Sequence, residues 1–169
     1  MRVDVSIAEI ARLVVALRKR LSSEQIDELR NRARVAANGA RGTTPLTYPT
    51  QPCSLLIEGE CSAHDVRPLA CRREHSFEVD SCREAFETGE DIEGEVDLRV
   101  RAEASLIQAA LEEALKAAGF PVGSYELQQA LSLALENASA LDEWAKGVDR
   151  FESARTGEGL LDAIAGGDI

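Results

Sequence analysis

Four cysteines, Cys53, Cys61, Cys71 and Cys82, fall within 30 residues of a 169-residue chain, separated by seven, nine and ten residues, and the other 139 positions contain none. Four thiolates meet the tetrahedral demand of Zn²⁺ and equally the ligand count of an iron–sulfur cluster. The spacing does not choose between them, because the C-x₂-C knuckles of zinc ribbons are absent. A further reading makes them four separate, small, buried side chains, a common fate of free cysteine. Their crowding into a stretch poor in helix signals argues instead for convergence on one site.

Other groups in this stretch bear on that chemistry. His64 lies three residues after Cys61 and His75 four after Cys71, where either could ligate a metal or serve as base to an activated thiolate. The ordinary role of such histidines is a surface or hydrogen-bonded one. Arg67, Arg72 and Arg73 bring positive charge; a guanidinium beside a thiolate lowers its pKa and offsets the negative charge of a Zn–Cys₄ or cluster centre. Pairing with Glu58, Glu60 or Glu74 is the alternative use of these arginines. The acidic run Gly89–Glu95 is rich in oxygen donors but lacks the order of a calcium-binding loop, and reads as a solvated linker.

The elements that must position the cysteines are mostly helical. Ser6-Ile-Ala-Glu9 is a capping box, and Ile7, Ile10, Val14 and Leu17 recur at helical spacing, so a helix is predicted over 7–20, closed by Arg18-Lys19-Arg20 at the negative end of its dipole. Ser22-Ser-Glu-Gln25 caps a second, with Ile26, Leu29, Ala33 and Ala36 on one stripe and Asn38-Gly39 as its stop. An antiparallel helical hairpin over 7–38 follows. Residues 39–52 hold three prolines and read as irregular connection. Between Cys53 and Cys61 a short apolar run meets a Glu-Gly turn, as in a small hairpin; after Cys82, Arg83–Phe86 predict one or two helical turns ending near Gly89. Asp97 caps a long helix whose apolar stripe is Leu98, Ala102, Leu106, Ala109, Ala110, Ala114 and Leu115, stopped by Gly119-Phe-Pro121. Ser124 is read as the cap of the next helix, with Leu127, Ala130, Leu131, Ala134 and Leu135 on one face and Asn137 at its end. A last helical segment from Ser139 includes Leu141 and Trp144.

The expected architecture is therefore mainly α: one helical, bundle-like domain over residues 1–155, with the hairpin at 7–38, an irregular cysteine-rich insert at 53–82, C-terminal helices at 97–148, and a flexible Gly-rich tail at 156–169. A chain of this size can bury roughly 68–70% of its unfolded surface, so it does not need a metal merely to fold. Its 19 Lys+Arg against 30 Asp+Glu give a net charge of −11, distributed as +3 over residues 1–40 and −14 over residues 76–169. Such a field repels polyanions, so neither nucleic acid nor an anionic membrane surface is an expected partner. No run approaches the roughly 18–20 apolar residues of a membrane span, and Asp4 and Glu9 interrupt any export-signal core, so a cytoplasmic location is expected. Cytoplasmic thiols stay reduced, which favours ligands over disulfides.

The run Cys53-Ser-Leu-Leu-Ile-Glu-Gly-Glu-Cys61-Ser-Ala-His-Asp-Val-Arg67-Pro68-Leu-Ala-Cys71-Arg72 resembles the YkgJ-type cysteine-cluster family, described as a zinc- or iron-chelating domain. The likeness rests on Cys53, on Gly59-Glu-Cys61 and on Arg67-Pro68-Leu-Ala-Cys71-Arg72, with Cys82 where a further family cysteine falls; Ser54 and His64 stand in place of the family's proline and tyrosine. The family's Cys-x-x-Cys-Cys group upstream of the first helix is not among these residues. If upstream and downstream cysteines share one centre, half a site is present here; if Cys53, Cys61, Cys71 and Cys82 form their own, it is intact. The resemblance implies zinc or an iron–sulfur cluster on those four cysteines, with Arg67 and Arg72 beside it.

Three functions are then open. The first is a metal-binding protein whose four-thiolate centre is structural. A second is an iron–sulfur-dependent redox or group-transfer enzyme, with a cluster or a low-pKa cysteine near Arg72 or His75 doing the chemistry. The third is a metal-free helical interaction module whose acidic C-terminal half meets a basic protein partner.

Overall fold

The computed structural model describes residues 2–74, 76–90, 92 and 94–157, without the side chains of Cys82 and Phe86. It is 57% helical, a mainly α single domain. Seven α-helices are described: α1 (Ile7–Arg20), α2 (Ser23–Ala40), α3 (Leu69–Arg73), α4 (Val79–Thr88), α5 (Leu98–Ala117), α6 (Leu127–Glu136) and α7 (Ala140–Trp144). Five short strands accompany them: β1 (Asp4–Val5), β2 (Leu56–Ile57), β3 (Glu60–Cys61), β4 (Ser124–Glu126) and β5 (Arg155–Gly157). No helix among the described residues is long and apolar enough to cross a membrane.

The expected caps form. Ser6 and Glu9 close the capping box of α1, and Ser22 and Gln25 that of α2. Asp97 accepts from the amides of Arg99 and Val100 at the start of α5, and Gly89, at φ 72°, ends α4. Helix α2 runs two residues beyond its expected end at 38, to Ala40, because Asn38 and Gly39 stay helical. Gly39 is needed there for room: a Cβ would lie 2.7 Å from the Gln51 carboxamide oxygen, whose amide nitrogen donates to the Ala36 carbonyl.

Helix α6 is the hub. Its Leu127, Ala130, Leu131, Ala134 and Leu135 are buried, and both α1 and α2 lay their stripes on it, α1 with Ile7, Ile10, Leu13, Val14 and Leu17, α2 with Leu29, Ala33 and Ala36. At about 1.5–3 kcal/mol for each fully buried aliphatic side chain, this is where the apolar driving force collects. The helical hairpin expected over 7–38 is corrected accordingly: α1 and α2 barely touch one another, because each stripe faces α6.

A small antiparallel sheet, in the order β1-β4-β5, ties the chain ends together. It revises two expectations. Ser124 is not a helix cap but the first residue of β4, and the cap of α6 is Glu126, whose carboxylate accepts from the amides of Gln128 and Gln129. Residues 156 and 157, expected to open a flexible tail, pair in β5; residues 158–169 lie outside the described residues. Tyr125, fully buried in β4, donates to Asp149 (2.7 Å), and Arg155 reaches both groups while lying 5.3 Å over the tyrosine ring. Burial opposes charge on Asp149, but these donors and the Phe151 amide hold its carboxyl below the ordinary range.

Helix α5 departs furthest from expectation. Of its 20 residues only Ala104 and Glu112 are buried, while Leu98 and Leu106, expected on the core stripe, are 69% and 72% exposed. The side turned inward carries Ala104, Leu111 and Leu115, of which Leu115 alone belongs to the expected stripe, and α3 packs on this helix.

Candidate metal centre

The segment from Cys53 to Cys71 begins with the expected hairpin. β2 and β3 pair Leu56 with Cys61 and Ile57 with Glu60 across a turn in which Glu58 and Gly59 both have positive φ, 51° and 84°, the backbone that two-residue hairpins favour. The Ser62 amide and hydroxyl both return to the Leu55 carbonyl, closing a knuckle with Cys53 before β2 and Cys61 on β3. A 3-10 turn at His64–Val66 then leads to Pro68, whose carbonyl accepts from Cys71 and Arg72 as α3 begins.

Helix α3 is anchored from a distance. One oxygen of Glu9 serves the capping box of α1; the other accepts the Leu69 amide at 2.8 Å, so one carboxylate fixes the starts of both helices. Arg72 donates to the carbonyls of Arg67 and Asp65, and Asp65 is gripped by both arms of Arg20. The Arg20 contact holds the Asp65 carboxyl down at about 2. Arg72 thus braces the backbone of the turn.

Cys53, Cys61 and Cys71 are free thiols, all partly buried. Burial raises the Cys53 pKa, with the backbone at Leu55 and the side chain of Gln128 working against it as donors to sulfur, and negative charge on Cys61 and Glu126 adding to it. Burial, followed by charge on Cys53 and Cys61, carries Cys71 from 9.0 to about 11, with the Arg67 guanidinium opposing. Charge on Cys61 therefore penalises ionisation of both Cys53 and Cys71, and charge on Cys53 that of Cys71.

The same neighbourhood collects unsatisfied polar atoms. Of seven buried side-chain polar atoms without a hydrogen-bond partner among the described residues, four flank these cysteines: Ser54 Oγ, Arg67 Nε, Gln128 Oε1 and Arg32 Nε. Gln128 is only 4% exposed and gives its amide to Cys53 Sγ at 3.2 Å, leaving its carbonyl oxygen without a donor. Arg32 shares with Cys53 an apolar groove of about 400 Å³ walled by Val35, Ala36, Pro52 and Leu56. A smaller cavity of about 50 Å³ on the other side of Cys53 is bordered by Tyr48, Glu126 and Gln128, with the Tyr48 hydroxyl donating to Glu126 at 3.0 Å. Burial and the Glu126 charge push that phenol's pKa up.

Among the described residues, no three His, Cys, Asp or Glu side chains stand close enough together to hold a metal ion. The sulfur donors suit zinc or an iron–sulfur cluster in kind, but the described residues form no cage for either. Cys82 lies on α4, with its side chain outside what is described, and His75 is not among the described residues. His64 is exposed. Arg73 pairs with Glu74, which also binds Arg101, so it plays the surface role foreseen as its alternative.

Sequence reasoning missed Gln128, Tyr48, Glu126 and Arg32. The available signal was in α6, where Gln128 and Ser132, four residues apart, are polar yet buried beside the apolar stripe. No family model, no curated protein and no solved structure matches the chain.

Proposed function

We propose that the protein is a metal-binding protein whose centre is held by the thiolates of Cys53, Cys61 and Cys71, with Cys82 as the fourth. One observation carries the reading: Cys53 and Cys71, partly buried like Cys61, both feel the charge of Cys61, and buried polar atoms without a hydrogen-bond partner among the described residues lie beside them. Without a cation Cys53 and Cys71 hold their protons more tightly than a free thiol does; a bound metal would displace those protons and ligate the sulfurs. The resemblance to the YkgJ-type cysteine-cluster family supports the same reading. Bound zinc would be structural, since four protein ligands leave no position for water, whereas a cluster would carry electrons. Around either, Gln128 holds Cys53 by its amide, Arg67 offsets the charge at Cys71, and Arg72 fixes the turn between Cys61 and Cys71.

The test is metal content and visible absorption of protein purified without oxygen, followed by zinc titration of metal-free protein with the released protons counted. About one zinc per chain without colour, with more than one proton released, is expected for the zinc centre; iron with matching sulfide and a brown colour for the cluster. Replacing any of Cys53, Cys61 or Cys71 by serine should cut metal affinity at least about tenfold. A wild-type protein that takes up neither metal and whose thiols all react independently overturns the reading.

A further inference from the structure

The stripe of α5 that faces away from the core has an unusual internal symmetry. Arg99, Ala102, Leu106, Ala110 and Glu113 are all exposed and follow one another at intervals of three, four, four and three residues, which keeps them on one face of the helix without the strict alternation of a heptad seam. The series reads the same from both ends, with a base at one end and an acid at the other. Leu98 and Ile107, 69% and 57% exposed, border it.

We propose that this stripe is a homodimer interface, in which α5 of two copies pack antiparallel about a two-fold axis at Leu106. In that register Leu106 meets its own counterpart, Ala102 of each copy meets Ala110 of the other, and Arg99 of each meets Glu113 of the other. A two-fold interface must be self-complementary, and this one satisfies the requirement at every position. The alanines on either side of Leu106 let the helices approach closely. Charge permits the same surface: the chain as a whole is at −11, but α5 carries three basic and three acidic side chains and is neutral, so the helix adds no net repulsion between two copies. Among the described residues the Arg99 guanidinium is engaged by Glu103, one turn along the helix, an exposed pair that contributes little and is readily exchanged.

Sedimentation equilibrium of the full chain across a wide range of concentration tests this, with helicity checked by circular dichroism. The wild type should dimerise reversibly and Leu106→Glu should be monomeric with unchanged helix content, since the position is exposed. Arg99→Glu and Glu113→Arg should each weaken the dimer by about tenfold or more, because each sets like charges face to face. The double variant R99E/E113R restores opposite charges in the same register and should recover most of the loss. A wild type monomeric at every concentration overturns the proposal, as does a dimer that survives Leu106→Glu. A double variant no better than the single ones overturns the register. If the stripe mediates dimerisation only after residues 158–169 are removed, that segment rather than a second copy is its occupant, and the proposal fails.

Discussion

The hub around α6 and the surface of α5 are built from similar residues, leucine and alanine at helical spacing, yet one is closed and the other open. At α6 the apolar face is covered from two sides by α1 and α2, and Glu126 caps the helix start, accepting from two amides and the Tyr48 hydroxyl. On α5 three large apolar side chains, Leu98, Leu106 and Ile107, point outward. The cysteine segment stands between these extremes, anchored at Glu9 and Arg72 but fringed with unpaired buried atoms. Where the chain supplies every partner itself, the contacts account for stability. Where it does not, the proposed metal and the proposed second copy would supply what is missing.

The contrast is sharpest between two leucines. Leu131→Ala, in the hub, should cost about 3 kcal/mol in urea unfolding, through lost transfer energy and the cavity left behind. Leu106→Ala should change the stability of the monomer by less than about 0.5 kcal/mol, measured at a concentration low enough to suppress association. Equal losses would remove the distinction between the two helices. Next in size, Glu126→Ala deprives two α6 amides and a buried phenol of their acceptor and should cost about 2 kcal/mol by the same assay.

A smaller effect follows from the thiols. The Cys71 pKa is higher folded than unfolded, so the folded state holds that proton more tightly; the stabilisation is complete below pH 9 and is lost as pH rises toward about 11. Metal-free protein should therefore lose on the order of 1 kcal/mol across that window. Thermal unfolding as a function of pH measures it, and Cys71→Ser should flatten that part of the profile. The smallest effect expected is that of Arg67→Met, which removes a nearby charge that favours the Cys71 thiolate; alkylation of Cys71 at mildly alkaline pH should slow, by roughly two- to threefold. Faster alkylation would show that Arg67 shields the sulfur rather than polarising it.

Much of this fold is legible in residue order. Ser6 with Glu9, Ser22 with Gln25, Asp97, Gly89 and Asn137 each mark a helix end where one forms, because capping is a local event decided by a few neighbouring residues. Periodicity says which residues share a face but not what that face meets, and so the stripe of α5 and the partner of α1 were both misread. Strands of two or three residues are too short to show alternation, which hid β4 behind a plausible serine cap. The four cysteines stand out by type and spacing. Gln128 and Arg32 do not, since they reach Cys53 or its groove from positions 75 and 21 residues away.

The double grip of Glu9 gives the cysteine segment a particular exchange behaviour. A loop of this kind would ordinarily open on its own, its amides trading hydrogen for deuterium far faster than those of the core. Here the Leu69 amide is bound to a carboxylate that also holds Ser6, directly after β1, and β1 pairs with β4, which leads into α6. Its protection should track that of the first turn of α1 rather than that of the exposed hairpin tip at Glu58-Gly59, so the turn leading to Cys71 opens only when the edge of the hub does.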